Sequence, residues 1–80
     1  MLAYAKCFIG KKEFSEAKSF LDKILPQEIK NPELYYLLGE CNFGLGDYEM
    51  GKSLFLKTEQ LDHNHYGALR GLGECNLKDN

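Results

Sequence analysis

An all-α chain organised as a helical solenoid is what the sequence predicts, on three observations. The pentapeptide Leu38-Gly39-Glu40-Cys41-Asn42 recurs unchanged as Leu72-Gly73-Glu74-Cys75-Asn76, 34 residues later, and Cys7 stands at the same phase one period before Cys41. A repeat of that length is the mark of stacked supersecondary units. Apolar residues step by three and four along most of the chain, which is the spacing of one helix face. No segment alternates polar and apolar residues as a half-buried strand would.

The elements follow in order. Tyr4, Ala5 and Phe8 lie at helical spacing, and Gly10-Lys11-Lys12 leaves room for a turn. Ala17, Phe20, Leu21 and Ile24 form the stripe of a second helix, which Pro26 closes because proline cannot extend the hydrogen-bond ladder. Asn31-Pro32 reads as an N-cap followed by proline at the first helical position. The third helix then carries Tyr35, Leu38, Gly39, Asn42 and Phe43. Gly44-Leu45-Gly46-Asp47 supplies the next turn, with Asp47 as a cap, and Tyr48, Gly51, Leu54, Phe55 and Thr58 line the fourth helix as far as Leu61. Asp62-His63-Asn64-His65 is a polar connection. A fifth helix runs from Tyr66 to about Lys78, and Asp79-Asn80 stands where the next turn is due.

These units fall at residues 1–31, 32–65 and a partial 66–80 of one repeat domain. Their arrangement resembles the tetratricopeptide repeat. The residues that carry the likeness are Tyr35, Leu38-Gly39, Asn42-Phe43, Gly46-Asp47-Tyr48, Gly51, Phe55 and Thr58. The first unit matches with Tyr4-Ala5, Phe8, Glu13-Phe14, Ala17, Leu21 and Ile24, and the third with Leu69, Leu72-Gly73 and Asn76. The chain departs from the family at Gly51 and Thr58, where alanines are usual, and at Ile29 and His63, where a proline customarily closes the repeat. The resemblance implies a right-handed α-solenoid of antiparallel helix pairs, about five helices here, whose first helices line a concave, partner-binding face. Because the chain opens inside a helix and closes on an unpaired one, a fragment of a longer array is expected; arrays normally carry polar terminal caps.

Composition narrows the function. The 80 residues are 44% apolar and 28% charged, with a net charge of −2 and a pI near 5.6. That balance belongs to an ordinary globular chain and gives no basic footprint for nucleic acid. No apolar run approaches the roughly 18 residues of a membrane span. The first residues lack the layout of a signal peptide. The odd cysteine count, without short spacings, points to free thiols in a reducing, cytoplasmic setting.

Chemistry-bearing motifs are few. There is no phosphate-binding glycine loop, no nucleophile elbow and no paired-histidine zinc helix, so neither an enzyme nor a cofactor is expected. Cysteines in one phase sit on neighbouring first helices, about 8–10 Å apart, beyond disulfide reach. Each is expected to fill a small buried slot. His63 and His65 read as a solvated linker in preference to a metal pair. Gly39, Gly73 and Ala5 mark close helix approach, and alanine at Gly51 is expected to stabilise, because Ala17 already holds a methyl at that phase.

On the expected concave face the partner-binding candidates are Lys6, Ile9, Glu33, Tyr36, Glu40, Phe43, Arg70 and Glu74, with Gly10, Leu37, Gly67, Gly71 and Leu77 beside them. Tyrosine and arginine are enriched at binding hot spots. Family members that grip a C-terminal carboxylate use lysines, asparagines and an arginine. The matching positions here are Leu2, Lys6, Leu37, Gly67 and Gly71, which excludes that ligand. A protein or peptide with basic and apolar side chains suits the face, with neither nucleic acid nor membrane as partner. The alternative is self-association through the last helix, where Tyr66, Leu69 and Leu72 have no following helix to cover them.

Overall fold

A computed structural model describes the backbone of residues 2–79 and the side chains of residues 5–78. The side chains of Leu2 and Tyr4, and Asn80, lie outside the described residues; Asp79, expected where a turn is due, is still helical. Five α-helices follow one another: α1 (Leu2–Gly10), α2 (Phe14–Ile24), α3 (Pro32–Gly44), α4 (Tyr48–Leu61) and α5 (Tyr66–Asp79), with a 3-10 turn over Leu25–Gln27 around Pro26. No strand occurs among the described residues. Each helix packs on the next, and α3 also touches both α1 and α5.

The sequence signals for the helix ends are physical contacts. Asn31 Oδ1 accepts the Glu33 N–H at 3.1 Å ahead of Pro32, and Asp47 Oδ1 accepts the Met50 N–H at 3.2 Å. Tyr35 donates its hydroxyl to the Ile29 carbonyl at 2.7 Å, tying α3 to the connection before it.

The turns after α1 and α3 are built alike. Lys12 and Glu13 donate their N–H groups to Ile9 and Phe8, and Gly46 and Asp47 donate theirs to Phe43 and Asn42, at 2.8–3.1 Å throughout. This is a Schellman C-cap, which requires a left-handed residue just past the helix. Gly46 supplies it with φ +90°, whereas Lys12, one period earlier, adopts φ 62° with a side chain attached. Left-handed backbone costs an ordinary L-residue roughly 1–2 kcal/mol. Lys12→Gly should therefore stabilise the fold, by about 0.5–1 kcal/mol once the greater entropy of the unfolded glycine chain is subtracted. A urea midpoint that falls would show that the Lys12 side chain contributes more than its backbone strain costs.

The core divides into two clusters. Ala5, Ala17, Leu21, Ile24, Leu34, Leu37, Leu38 and Cys41 pack together where α1, α2 and α3 meet. Phe55, Ala68 and Cys75 form the second, between α4 and α5. Phe55 is its anchor, 2% exposed. A Cβ built on Gly39 would lie 2.7 Å from one edge of the Phe55 ring, and one on Gly71 would lie 2.7 Å from the other. The ring therefore occupies the space of two absent side chains. One period earlier the corresponding positions hold Ala5 and Leu21, both fully buried in the first cluster: a larger small residue goes with a smaller large one.

Several expectations need correcting. Cys41 and Cys75 are buried, but Cys7 is exposed. Gly73 repeats the phase of Gly39, yet nothing lies within 4 Å of its Cβ position, so no close approach occurs there. A methyl on Gly51 would stand 3.2 Å from the Gly39 carbonyl oxygen. Alanine there is tight against backbone, and its gain in helix propensity depends on that carbonyl giving way by a few tenths of an ångström. Leu37, expected beside the binding residues, is in the core, 2% exposed.

Candidate functional site

A cavity of about 270 Å³ opens between the C-terminal end of α1 and the facing sides of α3 and α5. Ile9, Phe14 and Phe43 give it apolar walls, with Phe55 behind them. Glu40, Arg70, Glu74 and Lys12 bring two carboxylates and two cations to it. Gly10, Gly44, Gly67 and Gly71 also line it; the side-chain positions of the last three are taken by the rings of Phe14, Tyr36 and Phe55, and only Gly10 leaves open space. The Phe14 ring takes the Cβ position of Gly44, locking the start of α2 against the end of α3.

Glu40 is held in place. Tyr36, one helical turn earlier on α3, donates its hydroxyl to Glu40 Oε1 at 2.7 Å. Burial is the largest reason the Tyr36 hydroxyl is pushed up to about 12, followed by its bond to Glu40 and the charge there; Arg70 pulls the other way. The phenol keeps its proton across the neutral range and remains a donor to the carboxylate.

Tyr36 is positioned in turn by α5. Its ring lies 4.6 Å, centroid to centroid, from His65 and 5.9 Å from Phe55. A Cβ on Gly67 would stand 2.8–2.9 Å from the Tyr36 ring and hydroxyl, so glycine there admits the phenol. His65 is itself fixed: Nδ1 accepts the Ala68 N–H at 3.1 Å, and Nε2 lies 3.7 Å from Glu33 Oε2. An imidazole thus serves as N-cap of α5, the task of Ser, Asp or Asn elsewhere. The solvated-linker reading describes His63, whose side chain is 81% exposed beside Glu59, but not His65, at 15%.

Of the eight residues selected from sequence, Ile9, Glu40, Phe43, Arg70 and Glu74 line the cavity. Lys6 is exposed outside it. Glu33 and Tyr36 stand behind it, one on His65 and the other on Glu40. Leu77 is 79% exposed and takes no part in the wall. Sequence reasoning missed Lys12, Phe14, Gly44 and Phe55. The turn Gly10-Lys11-Lys12 was a visible signal for Lys12, whereas Phe14 and Phe55 read as core aromatics.

The thiols stand apart from this site. Burial, then Glu40 and Asp22, push the Cys41 thiol up to about 11 against a smaller opposing effect of Lys18. It is protonated at neutral pH and a poor nucleophile there.

No protein-family model matches the chain, and a search of curated proteins finds no relative. No helix among the described residues is long and apolar enough to cross a membrane. What the cavity itself offers is apolar contact and fixed charge, the means by which a surface holds a side chain of another molecule.

Proposed function

We propose that this chain is a protein–protein interaction module of the tetratricopeptide kind. In this reading it is a right-handed solenoid of antiparallel helix pairs, part of a larger scaffold or regulatory protein, and it holds a peptide or protein segment on its concave face. The observation that carries the reading is the cavity between α1, α3 and α5, with five sequence-selected residues in its wall. Identical Schellman turns one period apart support the repeat arrangement, as do the matched pairs Gly39–Phe55 and Ala5–Leu21.

Panning a displayed random-peptide library on the folded chain tests it. Enriched peptides should lose at least about tenfold in affinity for the variant Glu40→Gln/Glu74→Gln. Glu74 is exposed, and a glutamine carbonyl at position 40 still accepts the Tyr36 hydroxyl, so the fold should survive the change. Peptides that bind this variant unchanged would move the site elsewhere, and failure to enrich any sequence would count against a binding module.

A second reading is favoured by α5, which exposes Tyr66 by 81%, Leu69 by 44% and Leu77 by 79%, although Leu72, expected to be exposed with Tyr66 and Leu69, is half-buried against the second cluster. Burying one leucine is worth roughly 1.5–3 kcal/mol, so this face could drive self-association. Sedimentation velocity over a wide concentration range distinguishes the two. A monomer throughout removes self-association, and dimerisation abolished by Leu77→Ser establishes it.

A further inference from the structure

We propose that the cavity receives one basic side chain of the bound segment, an arginine or lysine, whose stem lies on Ile9, Phe14 and Phe43 and whose cationic head meets Glu40. The inference rests on the groove reading above and adds what fills the groove at this point.

The argument begins with how differently the two signs of charge are held. Glu40 is half-buried, and Tyr36 fixes its Oε1 while Oε2 makes no hydrogen bond among the described residues. That orientation is maintained from three places: the Tyr36 ring packs on Phe55 of α4, Gly67 of α5 makes room for it, and the capping His65 lies against it. A carboxylate that lines an apolar-walled cavity and is fixed through one oxygen is prepared for a charge-assisted hydrogen bond and loses little freedom when it forms. Glu74, one period on from Glu40, brings a second carboxylate to the opposite wall.

Lys12 and Arg70 are exposed, and neither reaches a carboxylate within 4.0 Å among the described residues. Lys12 lies on a long flexible stem and can turn away, and Arg70 bears on the Tyr36 hydroxyl instead of on a carboxylate. The aromatic walls add to the selection, because the face of a phenyl ring attracts a cation and gives an anion no such contact. A basic side chain also matches the shape: an aliphatic stem for the apolar walls and a charged tip for the far end.

Arg70 is the nearest competitor for Glu40, since it already acts on the Tyr36 hydroxyl that Glu40 accepts. This fixes the sign of one test. If the cavity takes a cation, removing Arg70 strengthens binding. If it takes an anion, removing Arg70 weakens it.

The experiment titrates the whole 80-residue chain with acetyl-Leu-Ala-Arg-Ala-Leu-amide, followed by amide chemical shifts at Gly44 and Gly71. The same peptide is then used with citrulline or glutamate in place of the arginine. Citrulline keeps the shape and removes the charge, so the arginine peptide should bind about tenfold more tightly. Glu40→Gln should bring that ratio close to one, while the glutamine carbonyl still accepts the Tyr36 hydroxyl and preserves the fold. Arg70→Gln should tighten the arginine peptide by about threefold.

Tyr36 is a positioning residue, so Tyr36→Phe should lower the arginine-to-citrulline ratio and leave the citrulline affinity unchanged. A merely structural role would weaken both peptides together. Equal binding of arginine and citrulline peptides overturns the proposal. So does tighter binding of the glutamate peptide that is lost in Arg70→Gln, with the groove reading left standing. Absence of shifts at the cavity with all three peptides overturns both.

Discussion

Gly39→Ala should lower the stability of this chain by roughly 1–3 kcal/mol, the cost of forcing an extra methyl into a packed core, although in an open helix the same change would add stability. The added Cβ would lie 2.7 Å and 2.8 Å from Phe55 Cε1 and Cδ1. The other edge of the ring already fills the side-chain position of Gly71 on α5, so the ring can yield only by shifting toward the cavity it lines. Phe55→Leu alone should cost about 1 kcal/mol or more for the space it empties. Combined, the two changes recreate the residue types of Ala5 and Leu21, both buried in the first cluster. The double variant should lose less than the sum of the singles by about 1 kcal/mol, within the usual range of coupling between touching residues. Urea denaturation of the four chains reads this directly. Additive costs would mean that the ring is not confined between two helices. Gly73→Ala supplies the contrast: the phase is the same, but nothing stands within 4 Å. That variant should gain up to about 1 kcal/mol from helix propensity.

The contrast between Gly39 and Gly73 also marks the limit of what the letters carry. Helix positions were legible because caps, turns and stripes are local: Asn31, Asp47, Pro26 and the turn at Gly46 each act within a few residues. The pentapeptide was legible as a repeat, but its environments were not, since they depend on what lies beside each copy. Leu38, Gly39 and Asn42 are buried between neighbours, whereas Gly73 and Asn76 are exposed on α5. Cys7 and Cys41 differ for the same reason.

The site divides along similar lines. Phase alone was enough to bring Glu40, Phe43, Arg70 and Glu74 to one face. Phase could not show that Tyr36 would turn inward to hold Glu40, because that depends on Gly67 and His65 arriving from another helix. Helical spacing puts Leu37 beside that face as well, yet it is buried in the core.

His65→Ala should cost about 1–2 kcal/mol: about 1 for the lost N-cap of α5 and the rest for the ring contact with Tyr36. His65→Asn separates the two contributions, because asparagine restores a capping acceptor without the ring. Thermal denaturation should rank the native chain first, His65→Asn second and His65→Ala last. Hydrogen exchange at the Ala68 amide, which donates to His65 Nδ1, should be fast only in His65→Ala. Equal protection of that amide in all three chains would show that α5 does not depend on this cap. The consequence for the cavity runs differently. Both variants remove the imidazole beside Tyr36, so both should loosen the phenol that orients Glu40, whatever happens to the helix end. A side chain in a polar connection would then govern two things at once: the start of α5 through one ring nitrogen, and the carboxylate of the cavity through the ring face.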